Sequence, residues 1–160
     1  MFGLFKKKKP EPAEAAPDHA TLYISDPSLL GSKVLDTVPG IQSYEGMSKD
    51  GTATGLRLRL KAGEVIMNFM PAHMIEEHLA GMSGYAEHEV RDRERLPYVL
   101  SRIKQVKFVI GCVIPSGFDE AGTMLEVLLQ LNSSLNGLFM LGDSLFDYDG
   151  QPLAGSGCEG

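Results

Sequence analysis

The sequence predicts a single α+β domain in which three to four helices pack on a mixed, mostly antiparallel sheet. Two stretches support this prediction most directly. Residues 55–61 alternate leucines with basic side chains, which is the period of a strand with one buried face. Residues 108–114 are nearly all apolar, as expected for a central strand covered on both faces. Apolar residues at helical spacing lie between and after these strands, so both kinds of element share one chain.

The remaining elements follow from local signals. Pro27 and Pro97 fit the first turns of helices, because the amide hydrogen that proline lacks would have no acceptor within the helix there. Pro39-Gly40 and Gly137 are expected to end helical segments. In order, we expect a strand at 21–25, a helix at about 26–38, strands at 41–45, 55–61 and 64–70, helices at 72–88 and 95–104, the central strand, a helix at 118–135, and strands at 138–141 and 145–148.

Composition limits the domain organisation and the class of function. A chain of 160 residues has the length of one domain. Residues 1–19 are expected to form a disordered, basic, Pro/Ala-rich tail, residues 20–153 the α+β domain, and residues 154–160 a flexible C-terminal tail. The net charge is −6 and the excess of acids lies in the domain, so a phosphate backbone would be repelled. We therefore expect no nucleic-acid partner.

The same counts predict a cytoplasmic location. Two cysteines are too few for a disulfide framework, and Cys112, inside an apolar run, should be a buried and unreactive thiol. No stretch approaches the roughly 20 apolar residues that span a bilayer. Residues 1–9 place three apolar side chains before four lysines, so the sequence allows at most weak contact with an anionic membrane surface.

Residues 67–88 contain three of the four histidines and four of the eight methionines. These are donor types of metal and acid/base sites. Helical rotation from Ala72 separates them, because His78 lies about 140° from His73 and falls among apolar residues. His78 is therefore expected to be a satisfied, partly buried histidine. Met74 and Met82 are assigned to the core, and Met67 and Met70 to opposite faces of the preceding strand, so a copper site is disfavoured.

The polar side of this helix provides the candidate site residues. His73 and Glu77 form an i, i+4 pair, which favours a surface contact. The alternative is a small hydrolase-like or metal-dependent enzyme that uses this region. We expect no cofactor and no bound metal. The polar-face candidates are His73, Glu76, Glu77 and His88.

The helix predicted at 118–135 has an apolar surface that is wider than a single stripe. Leu125 and Leu129 form a second stripe beside the main one. A surface this wide indicates a helix between two layers or one used in a subunit contact. The expected partner is therefore another protein or a second copy of this chain, bound through this helix.

A strand ending in Met70-Pro71, two helices, the strand beginning at Val106, a long apolar helix and the strand 138–141 follow one another between residues 67 and 153. In this order they resemble a group of uncharacterised bacterial α/β domains. Some of those domains lie beside toxin systems, so the resemblance implies an immunity-like or binding role and brings no catalytic residues with it. Together with the acidic surface, it favours a protein-interaction or regulatory module without catalytic activity.

Overall fold

A computed structural model describes residues 16–156 and confirms the α+β class. The predictions for residues 1–15 and for residues 157–160 lie outside the described residues. The strands are β1 (Asp18–Ile24), β2 (Ile41–Lys49), β3 (Thr52–Leu60), β4 (Gly63–Phe69), β5 (Phe108–Ile114), β6 (Leu138–Leu141), β7 (Ser144–Phe146) and β8 (Pro152–Ala154). The helices are α1 (Ser32–Leu35), α2 (Ala72–Glu89), α3 (Leu96–Lys104) and α4 (Thr123–Ser134).

The eight strands form one sheet in the order β2-β3-β4-β5-β1-β6-β7-β8. Every strand pairing in the described part of the chain is antiparallel, so the sheet contains none of the parallel pairs that a mixed sheet would have. The strand Phe108–Ile114 lies between β4 and β1, as its apolar run predicted. The first strand of the fold therefore lies in the middle of the sheet.

Helices cover both faces of the central strands. Side chains alternate between the two faces along each strand, so each central strand contributes to two cores. On β5, Ile110 and Cys112 point into one core with α1 and α4, whereas Val109 points into a second core with α2 and α3. On β1, Leu22 belongs to the first core and Tyr23 to the second. Cys112 is buried, as predicted, and burial raises the pKa of its thiol to about 12.

The β2-β3-β4 end of the sheet has one covered and one open face. Leu58 and Leu60 are buried beneath α1 and α4, as the alternation predicted. Arg57, Arg59, Glu45 and Glu64 lie on the opposite face, which we call the open sheet face. The Arg57 side chain is 42% exposed and the Glu45 side chain 69%, so this face is in contact with water.

Two predicted helices differ from those observed. The segment expected at 26–38 is a single 3-10 turn (Pro27–Leu29) followed by the one-turn helix α1, because Gly31 between them is extended. The helix expected at 118–135 begins only at Thr123. Gly122 before it has φ +75°, and the Asp119 carboxylate accepts the amides of Thr123 and Met124. Asp119 is therefore the residue that caps α4.

The domain extends slightly beyond its predicted limits. β1 begins at Asp18, whose carboxylate accepts the amide of Phe118 at 2.7 Å. β8 was not predicted, and it ends at the buried Ala154. A Cβ atom on the next residue, Gly155, would clash with the carbonyl oxygen of Asp143, so the chain is tightly packed there.

Candidate functional site

The polar side of α2 is exposed, as helical spacing predicted. His73, Glu76, Glu77 and His88 all lie at the surface. Between residues 16 and 156, no group of three or more His, Cys, Asp or Glu side chains could hold a metal ion. The structure therefore places these residues on one helix face without assembling a metal-binding group. A metal-dependent or hydrolase-like enzyme at His73 and Glu77 stays a prediction.

His78 lies on the other side of α2 and contacts the sheet. Its Nε2 is 3.0 Å from the hydroxyl of Tyr23, and the two rings are stacked with centroids 5.6 Å apart. Burial raises the pKa of Tyr23 to about 12, so the phenol stays protonated where it shares a hydrogen bond with Nε2 of His78. The prediction of a satisfied, half-buried histidine is confirmed.

The methionines of this segment are mainly packing residues. Met82 is buried against the sheet, and Met67 and Met70 pack in the two different cores, as predicted. The prediction for Met74 was wrong, because its side chain is 48% exposed. Ile75, its neighbour in the first turn of α2, occupies the buried position instead.

A shallow groove of about 430 Å³ runs between α2 and α3. Leu79 and Ala80 of α2 and Leu100 and Ile103 of α3 make its wall mostly apolar. Its charged residues stand on the two rims. These are Glu76 and Glu87 on α2 and Lys104 on α3, and Ser83 completes the lining. We call this feature the α2–α3 groove.

A buried ion pair joins three separate segments near the start of β6. Arg102 of α3 and Asp147, which follows β7, are 9% and 2% exposed. Nη2 of Arg102 lies 3.5 Å from Oδ1 of Asp147 and donates to the carbonyl oxygens of Asn136 and Gly137 at 3.1 and 3.3 Å. The Asn132 side chain on α4 donates to the Asp147 carbonyl at 3.4 Å. Burial without the partner would leave either charge unsolvated, so the pair fixes these segments relative to one another.

Two tyrosines lie over this pair at the surface. The hydroxyl of Tyr98 donates to Oδ2 of Asp147 at 2.7 Å, and the amide of Tyr148 donates to Oδ1 at 2.9 Å. The Arg102 guanidinium lies 5.9 Å from the centroid of the Tyr148 ring. Tyr98 and Tyr148 are nevertheless 40% and 43% exposed, which makes them two of the four large exposed hydrophobic residues of the described chain. We call Tyr98, Arg102, Asp147 and Tyr148 the tyrosine patch.

The environment of Tyr98 keeps its hydroxyl protonated. Burial, followed by the hydrogen bond to Asp147, raises the pKa of Tyr98 to about 12. At neutral pH this side chain is therefore an uncharged donor held in a fixed position. An exposed ring that is fixed in this way can contact a partner without losing much conformational freedom.

A pocket of about 280 Å³ adjoins the patch between α4 and the turn after β7. Leu129 and Tyr148 supply its apolar surface, whereas Glu126 and Asp149 provide two carboxylates at its edge. Leu129 belongs to the second apolar stripe that the sequence showed on this helix. The main stripe is buried in the first core, where Met124, Val127, Leu128 and Leu131 contact the sheet.

Sequence reasoning did not find the tyrosine patch. Its members come from α3 and from the turn after β7, and nothing local indicates that these segments meet. One signal was present, because Arg102 shares its helix side with the apolar residues Val99 and Ile103. A charge at an inward position predicts a buried partner. Asp149 and Gly150 form the turn after β7, in which Asp149 accepts the amide of Gln151 and Gly150 has φ +84°.

No protein-family model, curated protein or solved structure matches this chain. The resemblance to uncharacterised bacterial domains therefore stays an expectation. Within residues 16–156, no helix is both long and apolar enough to cross a membrane.

Proposed function

We propose that this chain is a protein-interaction or regulatory module that binds its partner at the tyrosine patch. The single observation that supports this proposal most strongly is the state of Tyr98 and Tyr148. Both rings are substantially exposed, yet one hydroxyl and one backbone amide are bound to the same buried carboxylate, Asp147. Exposed aromatic rings held in place around a buried arginine are typical of binding hot spots, in which Tyr and Arg are enriched.

The fixed geometry favours binding because little flexibility is lost when the partner arrives. A tyrosine offers a large contact area with only two side-chain torsions, and here the Asp147 hydrogen bond already restricts Tyr98. The backbone amide of Tyr148 is bound to Asp147, and its ring lies 5.9 Å from the guanidinium of Arg102. The arrangement therefore favours recognition of a partner.

The adjoining pocket indicates the chemistry of the partner. Its floor of Leu129 and Tyr148 accommodates an aliphatic stem, and the carboxylates of Glu126 and Asp149 stand at its edge. A lysine or arginine side chain fits this combination, because its stem packs on apolar surface while its charged end meets an acid. We therefore propose a protein partner that inserts a basic side chain, in keeping with the net charge of −6.

Self-association through the 118–135 helix is a separate expectation. A variant of the same surface can test it. Most of the apolar surface of α4 is already buried against the sheet. Leu129 remains half-buried at the pocket, where a second copy would have to bind. A dimer that is lost in Tyr148→Ala would identify the partner as this chain itself.

The experiment begins with capture of a partner from the native host and continues with titration of the purified pair. We expect Tyr148→Ala to weaken binding about tenfold or more, because truncating a hot-spot residue removes at least about 1.4 kcal/mol. Asp149→Lys should weaken it as well by repelling the basic side chain. Met74→Ala provides the matched control, since Met74 is equally exposed but lies on α2. Equal affinity of Tyr148→Ala, Asp149→Lys and the control for the partner would refute the proposal.

A further inference from the structure

The α2–α3 groove needs an occupant that is apolar in its middle and basic at the α2 rim. Leu79 of α2 and Leu100 and Ile103 of α3 form the apolar middle of the groove. Glu76 and Glu87 lie along the α2 side, about 16 Å apart at 1.5 Å per residue. Lys104 stands on the α3 side, so positive charge is favoured on one rim only.

Residues 1–9 of the same chain, MFGLFKKKK, have this composition. Phe2, Leu4 and Phe5 supply three large apolar side chains, and four consecutive lysines follow them. The described residues begin at Ala16, so this segment lies outside them. Its charge is opposite to that of the two glutamates on the α2 rim.

The connection between the segment and the groove is short enough. Tyr85 of α2 donates its hydroxyl to the carbonyl of Asp143, in the turn between β6 and β7. That turn lies at the sheet end where Ala20 pairs with Leu141, so the later part of α2 and the start of β1 share one end of the sheet. Eight residues, 10–17, span up to roughly 26–29 Å when extended. This reach brings the lysines to the Glu87 end of the groove first.

We propose that residues 1–9 dock into the α2–α3 groove of their own chain. The lysines lie along the α2 rim beside Glu87, and the preceding apolar residues cover Leu79, Leu100 and Ile103. The order of the segment agrees with the order of the groove, because the lysines are nearer to Ala16 than the apolar residues are. The inference does not depend on the tyrosine patch.

The full-length protein provides the test. A nitroxide label is attached at Leu4→Cys in a chain that also carries Cys158→Ser, while the buried Cys112 remains. We expect the amide signals of Leu79 and Leu100 to lose most of their intensity, to the same extent at every protein concentration. The double change Glu76→Lys/Glu87→Lys should restore those signals. Glu45→Lys, on the open sheet face, is the matched control and should leave the broadening unchanged.

Three results would overturn the proposal. Full signal intensity at Leu79 and Leu100 would show that the groove is empty of this segment. Broadening that grows with protein concentration would assign the segment to the groove of a second copy. A label that becomes immobile only on vesicles containing phosphatidylserine would assign residues 1–9 to a membrane surface instead.

Discussion

Two arginine–carboxylate contacts in this protein have the same length, but their side chains differ in exposure. Nη2 of Arg102 lies 3.5 Å from Asp147, and Nε of Arg57 on the open sheet face lies 3.5 Å from Glu64. The side chains of the first pair are 10% and 3% exposed, whereas those of the second are 42% and 37% exposed. Distance alone therefore does not rank ion pairs. We expect the fold to depend more on the Arg102–Asp147 pair, because water can replace a lost partner more easily where the side chains are partly exposed.

Removing one member of the buried pair should have the largest effect. Asp147→Ala leaves the Arg102 guanidinium buried without its carboxylate and also removes the acceptor of Tyr98. We expect the free energy of unfolding to fall by about 3–5 kcal/mol, measured from urea titrations at pH 7. A loss below about 1 kcal/mol would show that water reaches Arg102 and that the two pairs are equivalent.

The second-largest effect on stability is expected at alkaline pH. The pKa of Tyr98 and that of Tyr23 are both raised to about 12, in each case chiefly by burial. Tyrosine in an unfolded chain has a pKa of about 10. Because the folded pKa is the higher one, the stabilisation is complete below pH 10 and is lost as the pH rises towards 12. The free energy of unfolding should therefore decrease between these two values.

A substitution identifies the source of this pH dependence. Tyr98→Phe lacks the phenol beside Asp147 and should lose stability less steeply above pH 10 than the unsubstituted chain does. Arg57→Ala is the matched control, and its slope should equal that of the unsubstituted chain. Identical slopes for all three proteins would mean that Tyr98 titrates as it does in water.

The smallest effect is expected on the open sheet face. Arg57→Ala removes two contacts, with Glu64 at 3.5 Å and with Glu45 at 3.9 Å. Exposed pairs of this kind contribute about 0.2–1 kcal/mol, so the urea midpoint should shift only slightly. A loss as large as that of Asp147→Ala would contradict the argument that burial, and not distance, ranks the two pairs.

The parts of the fold that could be predicted are those encoded in local periodicity. The alternation around Leu58 and the apolar run of β5 place these strands on the correct faces, and helical spacing places His73 and Glu77 at the surface. Met74 was misplaced because helical spacing gives a direction around the helix and does not show how much of that side is covered by other elements. The short α1 was missed because the extended Gly31 interrupts an otherwise helical pattern.

The candidate interaction site could not be predicted because it depends on contacts between distant segments. Tyr98 and Asp147 are bound at 2.7 Å although α3 and the turn after β7 are far apart in sequence. Asn132 and Gly137 also pack closely together, so position 137 has no room for a side chain. A Cβ atom at Gly137 would lie 2.7 Å from Oδ1 of Asn132 and 2.8 Å from the carbonyl oxygen of Tyr23. Such requirements become visible only once the topology is known.

The central position of β1 also determines how the chain can be assembled during synthesis. β2, β3 and β4 form consecutive hairpins and can pair as soon as they are made. β1 leaves the ribosome before all of them, yet its partners are β5, where Asp18 meets Ile114, and β6, where Ala20 meets Leu141. The first strand must therefore remain unpaired until most of the protein has been translated. Closing so long a loop is slow, and during this interval both edges of β1 are open to a wrong partner.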